Sequence, residues 1–196
     1  MKKAILFDLD GTLLPMDQDI FIKTYFGLIA KRMARLGYKP EEMIHTIWKS
    51  ISAVIKNDGV LTNEDVFWKC FSEVYGDEQT KNDRTKFDDF YREDFPKVQN
   101  TCGFQPFAKE MIQYAKQQGY RVVLATNPLF PRIATEERIR WTGLMPSDFE
   151  LVTTYENSHA CKPNLLYYQE ILDTLGLEAS ECLMVGNDIS EDGVVK

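Results

Sequence analysis

The sequence predicts an α/β fold, a Rossmann-like parallel sheet interrupted by an inserted bundle of helices. Three observations lead there. Short apolar runs alternate with helical patterns over the last hundred residues. The first such run lies at the extreme N-terminus, at residues 4–7. Between it and the rest, some eighty residues carry only helical periodicity.

Ala4-Ile5-Leu6-Phe7 is apolar throughout and ends at Asp8, the pattern of a strand buried on both faces. Ile22, Phe26, Ile29, Met33 and Leu36 then recur at helical spacing, followed by Ile44, Ile47, Ile51 and Val54. Phe67, Cys70, Phe71 and Val74 make a third set, and Phe87, Phe90 and Tyr91 a fourth. Breaks at residues 37–40, 57–59, 76–77 and at Pro96 separate them, and Thr62 with Asp65 three positions on reads as a helix N-cap. The aromatic residues Phe21, Phe26, Trp48, Phe67, Trp68, Phe71, Phe87 and Tyr91 read as the core of this insertion, and Lys31, Arg32 and Arg35 as a solvated helix face. A helix over about 105–118 closes at Gly119 and precedes a strand over Arg121–Thr126. A helix at 132–141 leads to a weaker strand at 149–153. A helix at 164–175, closed by Gly176, precedes a strand at Cys182–Val185. The expected division is a core of residues 1–15 and 97–196 and a helical unit of residues 16–96.

Composition narrows the function classes. The 196 residues are 44% hydrophobic and 27% charged, with net charge −7. That balance excludes wholesale disorder, and a field of that sign disfavours nucleic acid or an anionic membrane as partner. No run reaches the apolar length of a membrane span, and the N-terminal apolar run is broken by Asp8 and Asp10 too early for a signal peptide. Cys70, Cys102, Cys161 and Cys182 form no C-x-x-C pair, so structural zinc lacks its spacing and reduced thiols in a cytoplasmic protein are expected. A monomer or weak dimer is the expected state.

Chemistry gathers at the strand ends. Asp8-Leu9-Asp10-Gly11-Thr12 follows the first strand, at the edge where open α/β sheets bind ligands. Carboxylates two residues apart in extended chain lean to one side, and their repulsion calls for a cation or a shared proton. Gly11 lets the chain turn sharply beyond them. Thr126-Asn127 ends the second long strand with a hydroxyl and an amide able to hold phosphate oxygens. Lys162-Pro163 opens the last helix, with Pro163 suited to its first position and Lys162 held extended toward the crevice. Gly186-Asn187-Asp188, then Glu191-Asp192, brings further acid to the same edge, the donor type a divalent cation requires. His45 and His159 belong to no motif and read as packing or solvent groups, His159 being the nearer to the crevice.

These four elements in this order resemble the haloacid dehalogenase-like (HAD) superfamily, over essentially residues 4–192. The resemblance implies a phosphohydrolase acting on a small phosphorylated metabolite through an aspartyl-phosphate. It implies Asp8 as nucleophile, Asp10 as acid and base, and Thr126 and Lys162 as holders of the phosphoryl group, with Gly11 and Asn127 beside it. It implies Mg²⁺ held by Asp8, the Asp10 backbone carbonyl and the acidic fourth motif, with the helical insertion as a C1-type cap. Many members place Asp directly after the motif-four Gly; here that residue is Asn187. Asp188 is expected as the ligand because anionic oxygen is the better Mg²⁺ donor, with Asn187 as alternative and Asp192 orienting Lys162. The family's further C-terminal strand has no counterpart before Lys196. Rival readings are a phosphotransferase or mutase using the same intermediate, and a non-catalytic binding or regulatory scaffold.

Overall fold

A computed structural model describes residues 1–194 and places four parallel strands in one sheet, in the order β3-β2-β1-β4. Strand β1 is Ala4–Phe7, β2 Arg121–Leu124, β3 Leu151–Val152 and β4 Cys182–Val185. Phe7 stands opposite Leu124 on one side and Val185 on the other, so the ends of β1, β2 and β4 lie level. The second strand stops two residues sooner than its apolar run suggests, and the third is two residues long. Thr153 instead turns its hydroxyl onto the Leu124 and Thr126 carbonyls.

Burial of β1 and β2 on both faces follows from their unbroken apolar runs. Ala4, Leu6 and Val123 pack with Tyr167, Tyr168, Ile171 and Leu175 of one helix, α7 (Leu165–Leu175). Phe7, Val122 and Leu124 face the other way, toward α5 (Ala108–Gln117), α6 (Arg132–Trp141) and the insertion. Among the described residues β4 forms one edge of the sheet, with Cys182, Met184 and Val185 half-buried and Leu183 exposed.

The insertion is four helices: α1 (Gln18–Ala34), α2 (Pro40–Ile55), α3 (Asn63–Tyr75) and α4 (Asp77–Glu93). Asp17 accepts from Ile20 N to start α1, Thr62 from Asp65 N to start α3, and Pro40 sits in the first turn of α2. Buried apolar side chains run without a break from the sheet into these helices. Phe95, in the 3-10 turn Phe95–Thr101 that follows α4, stacks on Trp141 of α6 at 5.3 Å and meets Phe21 of α1 edge-on at 6.2 Å. Arg32 is not a freely solvated charge: it bonds Glu93 at 2.7 Å and Asp94 at 3.0 Å, tying α1 to the return of the chain. Leu36 and Val74, counted in the apolar pattern, are exposed. All four cysteines are free thiols, and no helix among the described residues is long and apolar enough to cross a membrane.

Candidate active site

A cleft of about 230 Å³ opens where β1, β2 and β4 end. The turn after β1 builds one wall. Leu14 N bonds Leu9 O at 2.8 Å and Gly11 N bonds Leu14 O at 2.8 Å, closing a tight loop that presents Asp8 and Asp10. The turn itself calls for glycine at position 11. Its φ is +83°, and a Cβ would come within 2.5 Å of the Asn187 amide.

Asp8 is buried and anchored by Lys162, whose ammonium bonds Asp8 Oδ1 at 2.8 Å and Asp192 Oδ1 at 2.6 Å. Lys162 is itself buried, so its charge is offset by two carboxylates held at hydrogen-bonding distance. Burial pushes the Asp8 carboxyl above its ordinary value against the opposing pull of Lys162. Thr12 Oγ1 completes this corner, donating toward Asp8 Oδ2 at 3.3 Å and Asn187 Oδ1 at 3.1 Å.

The approach of Lys162 differs in two respects from the sequence reading. Pro163 is not the first residue of α7. The helix begins at Leu165, and Asn164 caps it by accepting from Leu166 N at 3.0 Å. An Asn side chain satisfies an orphan N–H that proline cannot use, so the boundary moves two residues on. Lys162 is not in an extended segment either: it lies in a turn closed by Asn164 N donating to Cys161 O at 2.9 Å.

Thr126 lines the cleft, its backbone oxygen accepting from Thr153 Oγ1 at 2.7 Å and Tyr167 OH at 2.9 Å. Asn127 also lines it, but its amide nitrogen is engaged by Glu191 Oε1 at 3.1 Å, while Asn127 Oδ1 is buried without a partner. Asn187 and Asp188 both border the cleft. Asp188 Oδ1 accepts from Ser190 N at 2.7 Å and Glu191 N at 3.2 Å, capping the next turn; the Ser190 bonds hold this carboxyl below its ordinary value. Asp192 accepts Asp188 N at 3.2 Å on the oxygen that Lys162 does not use.

Arg138 of α6 is the functional residue that sequence reasoning missed. It is 1% exposed, its guanidinium sits 4.5 Å over the Phe130 ring, and it pairs with Asp10 Oδ2. Asp10 Oδ1 is buried without a protein partner. The available signal was positional: Ala134, Arg138 and Trp141 share the apolar stripe of α6, where a charged side chain needs a partner. The histidines stay apart from the cleft. His159 meets Glu170 through Nδ1 and bonds it through its backbone N–H at 3.0 Å, pinning the loop to α7, and His45 is exposed on α2. The aromatic residues of the insertion divide. Phe71 is core, Phe21 lines the cleft, and the other six named above border a separate apolar cavity beside it.

Five carboxylates line the cleft: Asp8, Asp10, Asp188, Glu191 and Asp192. This hard-oxygen set suits Mg²⁺, as does the unpartnered Asp10 Oδ1. Among the described residues no three His, Cys, Asp or Glu side chains form a ready-made metal cage. Mg²⁺ does not require one, because it commonly takes one or two carboxylates and fills the rest with water and substrate oxygen.

The family model for haloacid dehalogenase-like hydrolases matches residues 2–192. The chain belongs to this family. Among curated proteins, this HAD-like hydrolase is 26% identical over 198 residues to the ribulose-1,5-bisphosphate 5-phosphatase of Halopiger xanaduensis, with 98% of this chain and 79% of that protein covered. Its fold is that of a HAD phosphatase from Thermococcus onnurineus, at TM-score 0.57 and 21% identity, covering 97% of this chain and 79% of the other. It is likewise that of a HAD-family enzyme from Bacteroides thetaiotaomicron solved with magnesium and inorganic phosphate, at TM-score 0.56 and 14% identity, covering 100% and 89%.

Proposed function

We propose that this HAD-like hydrolase is a Mg²⁺-dependent phosphatase that removes the phosphoryl group from a small phosphorylated metabolite through an aspartyl-phosphate on Asp8. The observation that carries the reading is the buried Lys162 ammonium bridging Asp8 at 2.8 Å and Asp192 at 2.6 Å. An anionic nucleophile must approach an anionic substrate, and a fixed buried cation beside it offsets that repulsion. The relative from Halopiger xanaduensis, named for a phosphatase reaction, supports the reaction class.

In the first step Asp8 attacks phosphorus, the ester P–O bond breaks, and Asp10 gives its proton to the departing oxygen. In the second, water attacks the acyl phosphate, Asp10 takes the water proton, and inorganic phosphate leaves with Asp8 regenerated. Asp192 orients Lys162, and Thr126 and Lys162 hold the phosphoryl oxygens. Gly11 gives the loop close backbone approach. Arg138 fixes the Asp10 side chain through one oxygen and leaves the other to the reaction. Asp8, the Asp10 carbonyl and Asp188, with Asn187 as the neutral alternative, would hold Mg²⁺, which supplies charge neutralisation at the transferring phosphoryl group. The helical insertion, residues 16–96, is read as a cap over the cleft, able to exclude water and contact the rest of the substrate.

The test is phosphate release from a panel of phosphorylated metabolites, with and without Mg²⁺. Release that requires Mg²⁺ supports the reading. Transfer to a second substrate without net phosphate favours a transferase, and no reaction with any member favours a binding scaffold.

A further inference from the structure

The cavity beside the cleft is apolar, with a volume of about 130 Å³. Ile22, Leu129 and Phe130 border both spaces, so whatever departs from phosphorus in the cleft has this cavity as its neighbour. Its walls come from both the insertion and the sheet loops, among them Trp48, Ile51 and Phe67 on one side and Pro131 on the other.

Among the described residues no Lys, Arg, His, Asp or Glu lines it. The polar groups of its buried and half-buried wall residues are matched with one another: Tyr25 OH with Tyr91 OH at 2.9 Å, and Trp68 Nε1 with Tyr155 OH at 3.3 Å. The two guanidinium groups stacked on rings of the wall are likewise taken. Arg138, over Phe130, pairs with Asp10, and Arg84, 4.9 Å over Trp68, pairs with Glu64 at 3.6 Å. The cleft itself adds carboxylates, and the Lys162 ammonium at it is committed to Asp8 at 2.8 Å and Asp192 at 2.6 Å. A second phosphate on the substrate would therefore meet either apolar wall or like charge, and would lose its water without gaining a partner.

Building on the phosphatase reading, we propose that the preferred substrate is a monophosphate whose departing group is apolar, of the size of a phenyl ring or a branched alkyl chain. An apolar cavity of about 150 Å³ in a protein takes up benzene, so the size matches. The aromatic walls recognise the departing group by burial and edge contacts, and specificity against doubly phosphorylated compounds comes from the missing cation.

Binding of non-hydrolysable phosphonates in the presence of Mg²⁺, followed by calorimetry, tests this without relying on turnover. The series is methylphosphonate, propylphosphonate, benzylphosphonate and propane-1,3-diyl bisphosphonate. Benzylphosphonate should bind on the order of tenfold or more tighter than methylphosphonate. The bisphosphonate should bind no tighter than propylphosphonate. Ile51→Arg, at a half-buried position on the cavity wall, should reverse the order of those last two and weaken benzylphosphonate. Benzylphosphonate binding no better than methylphosphonate, or a tenfold gain for the wild-type protein from the second phosphonate, overturns the inference. The wild-type series decides the matter even if the variant fails to fold. Phosphate release from phenyl phosphate, measured alongside, separates the two readings: its absence with the binding order intact removes the phosphatase reading and leaves the apolar site standing.

Discussion

Gly186→Ala should damage the site through Asp192, and the size of the effect can be worked from the structure. A Cβ at position 186 would lie 2.0 Å from Asp192 Oδ2 and 2.3 Å from its Cγ. Ordinary van der Waals contact begins near 3.4 Å, so the carboxylate must move by about 1.4 Å. Both of its oxygens are committed, one to Lys162 at 2.6 Å and one to Asp188 N at 3.2 Å. A displacement of that size breaks at least one of these bonds. Removing a partner from a buried ion pair costs about 3–5 kcal/mol. Asp8 still holds Lys162, so the lower end, ~3 kcal/mol, is expected. In a chain of this length that lowers Tm by about 6–12 °C. With Lys162 less well oriented, kcat should fall on the order of tenfold or more. Differential scanning calorimetry and phosphate release read both. A Gly186→Ala protein with wild-type Tm and kcat would refute the claim that Asp192 is fixed at this distance and needed by Lys162.

Three further outcomes are expected. Asp10→Ala should destabilise the protein by ~3 kcal/mol because it strands the buried Arg138 charge, and adding Arg138→Met should restore more than half of the loss in thermal unfolding; no recovery would deny the pair. Lys97, and then Arg32, hold the Asp94 carboxyl below its ordinary 3.8, so the stabilisation is present above that value and lost as pH falls through the lowered one; the Tm gap between wild type and Asp94→Asn should be open at pH 7 and narrow below about pH 3.8. The Mg²⁺ concentration for half-maximal activity should rise strongly in Asp188→Ala and little in Asn187→Ala, and the reverse pattern would move the ligand role to Asn187.

Much of this arrangement is legible in the sequence because it depends on local signals. The unbroken run at residues 4–7 reads as a strand covered on both faces, and it packs on both. Thr62 caps its helix because Asp65 N has no other acceptor within the turn. Asp8, Thr126 and Asp188 share one cleft, with Lys162 bonded to Asp8, because parallel strands end on one edge, whatever lies between them. What escapes is decided by tertiary partners. Arg138 sits on the apolar stripe of α6, and its partner Asp10, 128 residues away, shows only in the folded chain. Asn164 displaces Pro163 from the helix start through a cap that competes with the proline signal. Trp48 and Phe67 have the spacing of core residues, and only the packing of the insertion against Phe130 and Pro131 leaves a cavity between them.

The central claim is that Asp8 is the residue that receives the phosphoryl group. Acid-quenched enzyme, mixed with a ³²P-labelled phosphate ester that it turns over with Mg²⁺, should carry label on the peptide containing Asp8. Asp8→Asn is nearly isosteric and should keep its Tm close to wild type, carry no label, and lose steady-state phosphate release by at least about 10³-fold. A folded Asp8→Asn protein that releases phosphate at a rate near that of the wild type would contradict the account.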